Sequence, residues 1–268
     1  MTEFVRSADG TRIAYERIGA GPAVAVIGGI FCDRQRMAEL AYGLSEHFSV
    51  FTYDRRGRGE SGDTAPYAVE REIEDLAVLI EAAGGRAMVY GHSSGAGLAL
   101  RAAAAGLPVS RLVLHEPPYG PDEPESRASA ESLARRVRSA VAADRCGDAI
   151  ADFFRLLGLS PAVVEALRTN PAMLSIARTM PYDFEVMGDF TGGTIPESLV
   201  RSIGVPTLVL AGGVSAGFLR TTALRIAGLL PQGTFAILEG HDHDAPGEVV
   251  APVVAEFLAE AKEVACVS

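Results

Sequence analysis

The 268-residue chain predicts an α/β fold, a doubly wound, mostly parallel sheet with a helical lid insertion. Apolar runs too continuous for a strand with one wet face recur along it, and a parallel sheet covered on both faces requires such strands. Segments of helical period lie between those runs, and alternating strands and helices build a doubly wound domain. The alternation then breaks once, over a long stretch without a convincing strand.

Taken in order, residues 11–18 alternate and read as an early strand. Residues 23–27 are a continuous apolar run ending at Gly28-Gly29, and residues 48–53 are another, ending at Asp54. Residues 69–83 place Ile73, Leu76, Leu79 and Ile80 on one helical face. Residues 87–90 read as a buried strand, 96–103 as the start of a helix and 112–114 as the next strand. From about Pro117 to Ser202, helical segments are separated by Gly158, Pro161, Pro171 and Pro181. This stretch, 117–202, is expected to sit as a lid over the carboxyl ends of the strands, where ligands of open α/β sheets bind. Residues 1–116 and 203–268 then form the core, with late strands at 208–210 and 235–238 and helices at 219–230 and 249–261.

A net charge of −10 argues against nucleic acid and anionic membrane surfaces as partners. Cys32, Cys146 and Cys266 form neither a disulfide framework nor a metal-ligand spacing, which fits a reducing compartment. Met1 to Arg6 shows no basic region followed by an apolar stretch, and no run reaches the roughly 18 apolar residues of a membrane span. A cytoplasmic protein is expected, as a monomer or homodimer acting on a small molecule. One lysine, Lys262, stands against 23 arginines, which suggests a GC-rich bacterial genome.

Gly91-His92-Ser93-Ser94-Gly95 is a G-x-S-x-G pentapeptide between the strand at 87–90 and the helix after it. On such a turn the serine is pushed out of the backbone, and the helix N-terminus faces the place where an oxyanion would form. Its flanks fit a nucleophile elbow better than an ordinary helix cap.

With these features in this order, the chain resembles an α/β-hydrolase over nearly its whole length. Gly28-Gly29 follows the third strand. Asp54-Arg55-Arg56-Gly57-Arg58-Gly59-Glu60-Ser61 is similar to the family's D-x-R-G-x-G-x-S segment, and a histidine follows the last strand. The resemblance implies the order nucleophile, acid, histidine. Ser93 is then the nucleophile, and His243, three residues beyond Gly240, is the base, with His241 the alternative. Ser215 stands where the resemblance places an aspartate, and serine cannot balance an imidazolium. Some family members take the acid from the end of the preceding strand, here Glu116, with Asp242 and Asp244 as alternatives. The oxyanion donors implied are the backbone N–H groups of Ile30 and Ser94.

Cys32 reads as an inert buried thiol, and Arg55, Arg56 and Arg58 as braces beneath the site. Gly19-Ala20-Gly21 precedes a strand and does not fit a dinucleotide fingerprint. No cofactor and no metal are expected. The leading expectation is hydrolysis of an ester, thioester or lactone of a small to medium, mainly apolar substrate. Phe153, Phe154, Leu156, Leu157, Met173 and Met180 are candidates for the pocket wall. Lyase, cyclase or isomerase chemistry on the same scaffold, with His243 as acid/base, is the alternative. A non-catalytic binding protein is a further one.

Overall fold

The continuous apolar runs become strands of one sheet; the central ones are flanked on both sides and covered on both faces, whereas the run at 235–238 forms an edge strand. The computed structural model describes residues 1–260; Cys266 and the far end of the helix expected to reach residue 261 lie outside them. The strands are β1 (Glu3–Arg6), β2 (Arg12–Ile18), β3 (Ala23–Ile27), β4 (Ser49–Tyr53), β5 (Ala87–His92), β6 (Val109–His115), β7 (Thr207–Gly212) and β8 (Gly233–Leu238). They form one sheet in the order β1-β2-β4-β3-β5-β6-β7-β8. β1 with β2 and β2 with β4 are antiparallel, and every later pairing is parallel. β1 has no counterpart among the sequence expectations.

Successive side chains of β3 enter opposite layers. Ala25 and Ile27 join Leu76, Leu98, Leu112 and Ile226, under α2 (Val69–Ala82), α3 (Ser94–Ala104) and α10 (Gly217–Leu229). Val24 and Val26 join Leu40, Val113, Leu210 and Val254, under α1 (Ala38–Leu44) and α11 (Gly247–Ala259). The winding direction changes beside β3, which has β4 on one side and β5 on the other. A crevice opens outside the carboxyl ends of strands at such a switch point.

Between β6 and β7 run α4 (Pro124–Ala142), α5 (Cys146–Leu156), α6 (Pro161–Arg168), α7 (Pro171–Ala177), α8 (Met180–Met187) and α9 (Glu197–Ser202). Among the described residues the pairing in this segment is a single bridge, Gly120 with Thr194. Leu133, Val137, Ile150, Met180 and Phe184 give it a core of its own. No helix among the described residues is long and apolar enough to cross a membrane.

Candidate active site

Ser93 sits between the end of β5 and the start of α3 with φ 56° and ψ −127°, a conformation that a residue with a side chain adopts at a cost of about 1–3 kcal/mol. The flanking glycines make room for that turn. A Cβ on Gly91 would lie 2.4 Å from the Gly95 carbonyl oxygen, and one on Gly95 would lie 2.5 Å from that of Ile27. The Ser93 N–H donates to the His115 carbonyl at 2.9 Å, which ties the elbow to β6. The Ser93 side chain is almost wholly buried, and its hydroxyl forms no hydrogen bond among the described residues.

Glu116 follows β6 at φ 46° and is completely buried. Its Oε1 accepts from the Gly212 N–H at 2.8 Å, and its Oε2 lies 2.7 Å from His243 Nδ1. Burial pushes this carboxyl upward. The His243 contact, the nearby Ser215 hydroxyl and the Gly212 N–H outweigh burial and hold it below the ordinary carboxylate value. Ser215 is itself buried at the end of β7, where its hydroxyl would lie 2.5 Å from a Cβ on Gly212. The β6 carboxylate thus reaches the same small space from the neighbouring strand. Asp242 and Asp244 are exposed, and among the described residues the carboxylate bonded to His243 is Glu116.

Two further histidines line up behind His243, a feature not foreseen from the sequence. His92 Nε2 is 2.9 Å from the His243 carbonyl oxygen and must donate to it. The His92 ring lies 4.7 Å from that of His243 and 5.0 Å from that of His115, and His115 Nδ1 is 2.7 Å from the Tyr90 hydroxyl. Burial, reinforced by the neighbouring His243, pushes His92 down to about 4. Burial also holds His115 well below its ordinary value. His47 is exposed, at the other end of the sheet.

Across the crevice, Gly29 to Cys32 make a tight turn closed by the Cys32 N–H on the Gly29 carbonyl at 3.2 Å, with Phe31 at φ 59°. Gly29 abuts the elbow, since a Cβ there would lie 2.7 Å from Ser93 Cβ. Cys32 has its thiol pushed up by burial, the opposite of an activated nucleophile.

Arg55, Arg56 and Arg58 are buried and paired. Arg56 bonds Asp75 at both oxygens, 2.8 Å each. Arg55 clasps Glu72 at 2.6 and 2.7 Å, and its remaining nitrogen reaches Asp183 Oδ1 at 2.6 Å. Arg58 donates to Asp183 Oδ2 at 2.6 Å, to Thr179 Oγ1 at 3.0 Å, and to the carbonyls of Gly29 and Cys32 at 2.7 and 3.1 Å. Asp183, on α8, also accepts from the Ser94 hydroxyl at 2.7 Å. Sequence reasoning missed Asp183. Nothing local marks it, because α8 carries a second carboxylate, Glu185, among its apolar residues.

Phe153 and Phe154, two of the residues expected in a pocket wall, pack against Phe31 of the turn after β3. Phe31 stacks on Phe154 with centroids 5.5 Å apart and meets Phe153 edge-on at 5.9 Å. Leu156 and Leu157 instead face solvent at 52% and 53% exposure, and Met180 is fully buried inside the core of the helical segment. Helical spacing alone does not say which face a segment turns toward the sheet. No group of three or more His, Cys, Asp or Glu among the described residues could hold a metal ion.

The sheet, the elbow and the late histidine define an α/β hydrolase. A model of the Alpha/beta hydrolase family matches residues 19–256, and the chain belongs to that family. A crystal structure of an alpha/beta hydrolase from Sphaerobacter thermophilus is 45% identical, with a TM-score of 0.84, over 96% of this chain and 100% of that one. A thermophilic esterase from Thermogutta terrifontis, solved with malate bound, is 25% identical with a TM-score of 0.73, over 96% and 98% of the two chains. N-formylmaleamate deformylase from Pseudomonas putida is 37% identical over 127 residues. That match spans 44% of this chain and less than half, 47%, of the deformylase.

Proposed function

We propose that the protein is a serine hydrolase acting through an acyl-enzyme on an ester, thioester or lactone of small to medium, mainly apolar character. The observation that carries this reading is the 2.7 Å contact between Glu116 and His243 Nδ1 beside a serine held at positive φ. A carboxylate on Nδ1 fixes the tautomer whose free lone pair is on Nε2, the nitrogen that must take the serine proton.

Ser93 Oγ attacks the carbonyl carbon as its proton passes to His243 Nε2. The resulting oxyanion is held by the N–H groups of Ile30 and Ser94. Collapse breaks the bond to the leaving oxygen or sulfur, which takes the proton back from His243. Water then attacks the acyl-enzyme, giving up a proton to His243, and Ser93 departs with that proton as the acid is released. The described residues offer Phe31, Phe153 and Phe154 as an apolar wall, and the arginines near the elbow are already paired, so an uncharged acyl group fits best. Residues 117–202 act as the lid in this reading. The esterase and the deformylase among the similar proteins support hydrolytic chemistry; amide bonds are therefore part of the substrate panel.

Intact-protein mass spectrometry after fluorophosphonate treatment, with peptide mapping, tests the reading. Stoichiometric labelling of Ser93 that His243→Ala abolishes is the expected result. An unlabelled, well-folded protein would overturn it in favour of lyase or cyclase chemistry with His243 as acid/base.

A further inference from the structure

We infer that Asp183, a residue of the helical segment between β6 and β7, is a positioning residue that sets both oxyanion donors at once. The inference rests on the hydrolase reading above.

The first donor is held directly. Ser94 is the first residue of α3, where a backbone N–H has no partner inside the helix. Its hydroxyl is bonded to Asp183 Oδ1 at 2.7 Å, so the carboxylate grips the residue whose N–H faces the oxyanion. The second donor is held through Arg58. The Ile30 N–H shares a peptide unit with the Gly29 carbonyl, and a trans peptide is planar with its N–H and C=O pointing opposite ways. Arg58 Nη1 anchors that carbonyl at 2.7 Å, which turns the N–H away from Arg58. The Ile30 N–H meets no acceptor among the described residues. Arg58 is in turn fixed by Asp183 Oδ2 at 2.6 Å and by Thr179 Oγ1 at 3.0 Å, both from the helical segment. Arg55 at 2.6 Å keeps the Asp183 carboxylate from swinging between its partners.

A purely structural staple does not need this arrangement. Buried ion pairs are often replaceable by packed apolar groups without loss of stability. Here one carboxylate has an oxygen assigned to each donor, and every link is 2.7 Å or shorter. Seating of α8 thereby becomes a condition for a complete oxyanion hole. Displacing α8 by a fraction of an ångström would move both donors together, and misplacement of about 1 Å can cost on the order of 100-fold in rate.

The test is the inactivation kinetics of Asp183→Asn and Ser94→Ala with a fluorophosphonate, whose phosphoryl oxygen must enter the oxyanion hole. Reversible affinity (KI) and the first-order labelling constant (kinact) are measured separately. Asp183→Asn is expected to lower kinact about 10- to 100-fold with KI unchanged and Ser93 still labelled to completion. Ser94→Ala, which loses one tether, is expected to lower kinact several-fold. A merely stabilising role would reduce the labelled fraction and leave kinact of the folded fraction alone. Wild-type kinact in folded Asp183→Asn would overturn the inference; should that variant not fold, wild-type kinact in Ser94→Ala would do so. A wild-type protein that is not labelled at all would overturn the hydrolase reading itself, and the inference with it.

Discussion

On one side of Ser93, a single carboxylate, Glu116, is buried beside the three imidazoles of His243, His92 and His115; on the other, Asp183 and Glu72 face Arg55 and Arg58 one for one. Both regions are built around buried carboxylates, yet their electrostatics are opposed. The arginine side pairs two carboxylates with two guanidinium groups, and its partners hold the Glu72 and Asp183 carboxyls below the ordinary value. The histidine side lacks a fixed cation. Its buried carboxylate is balanced only when His243 carries a second proton, which is the state the proposed reaction creates. One region holds geometry, and the other holds a place for a proton in transit.

The contrast breaks first at Glu116. Glu116→Gln is expected to lower kcat for an ester or a labelling rate by about 1,000- to 10,000-fold, while the thermal midpoint moves by only a few degrees. An activity near normal would remove Glu116 from the site. On the arginine side the larger loss should be in stability. Arg55→Met leaves Glu72 and Asp183 without a partner they share, and urea unfolding should show a loss of about 3–5 kcal/mol.

Acid should act through the histidines. His92 is held down to about 4 from an ordinary 6.5, so the unfolded chain binds a proton that the native protein refuses between those values. Stability then falls as pH drops from about 6.5 toward 4. Glu116, depressed from 4.5, contributes stability that is present above that value and lost below it, as pH falls through its native value. Thermal midpoints of wild type and His92→Gln across this range check the sign, and a slope as steep in the variant would refute the assignment. The smallest effect is expected at an exposed pair. Arg178→Ala removes a bond to Asp144 between side chains 66% and 75% exposed, and should cost less than about 1 kcal/mol in the same urea assay.

The central strands were readable because they are apolar at nearly every position, the mark of burial on both faces. β1 was not: it has four residues, mostly exposed, and pairs at the sheet edge, so burial writes no pattern into it. Ser93 and Ser94 could be located because the elbow is a local device, made within five residues. Glu116 depended on resemblance, for nothing in its neighbours marks it, and its contact with His243 spans 127 positions. Asp183 was out of reach for the same reason, with partners 89, 125 and 128 positions away. The exposure of Leu156 and Leu157, both candidates for a pocket wall, has another cause: α5 turns Ala149 and Ile150 toward the core of the helical segment, and the two leucines lie at its C-terminal end, facing solvent.

The 127 positions between Glu116 and His243 also order events on the ribosome. Synthesis delivers Ser93 first, then Glu116, then six helices, and His243 only after β7 and β8. β8 pairs with β7, and β7 with β6, so the loop bearing His243 reaches Glu116 only when the growing edge of the sheet has been zipped strand by strand. A nascent chain that already displays Ser93 therefore lacks the histidine that the proposed reaction requires, and under that proposal a product missing the last strands would be inactive.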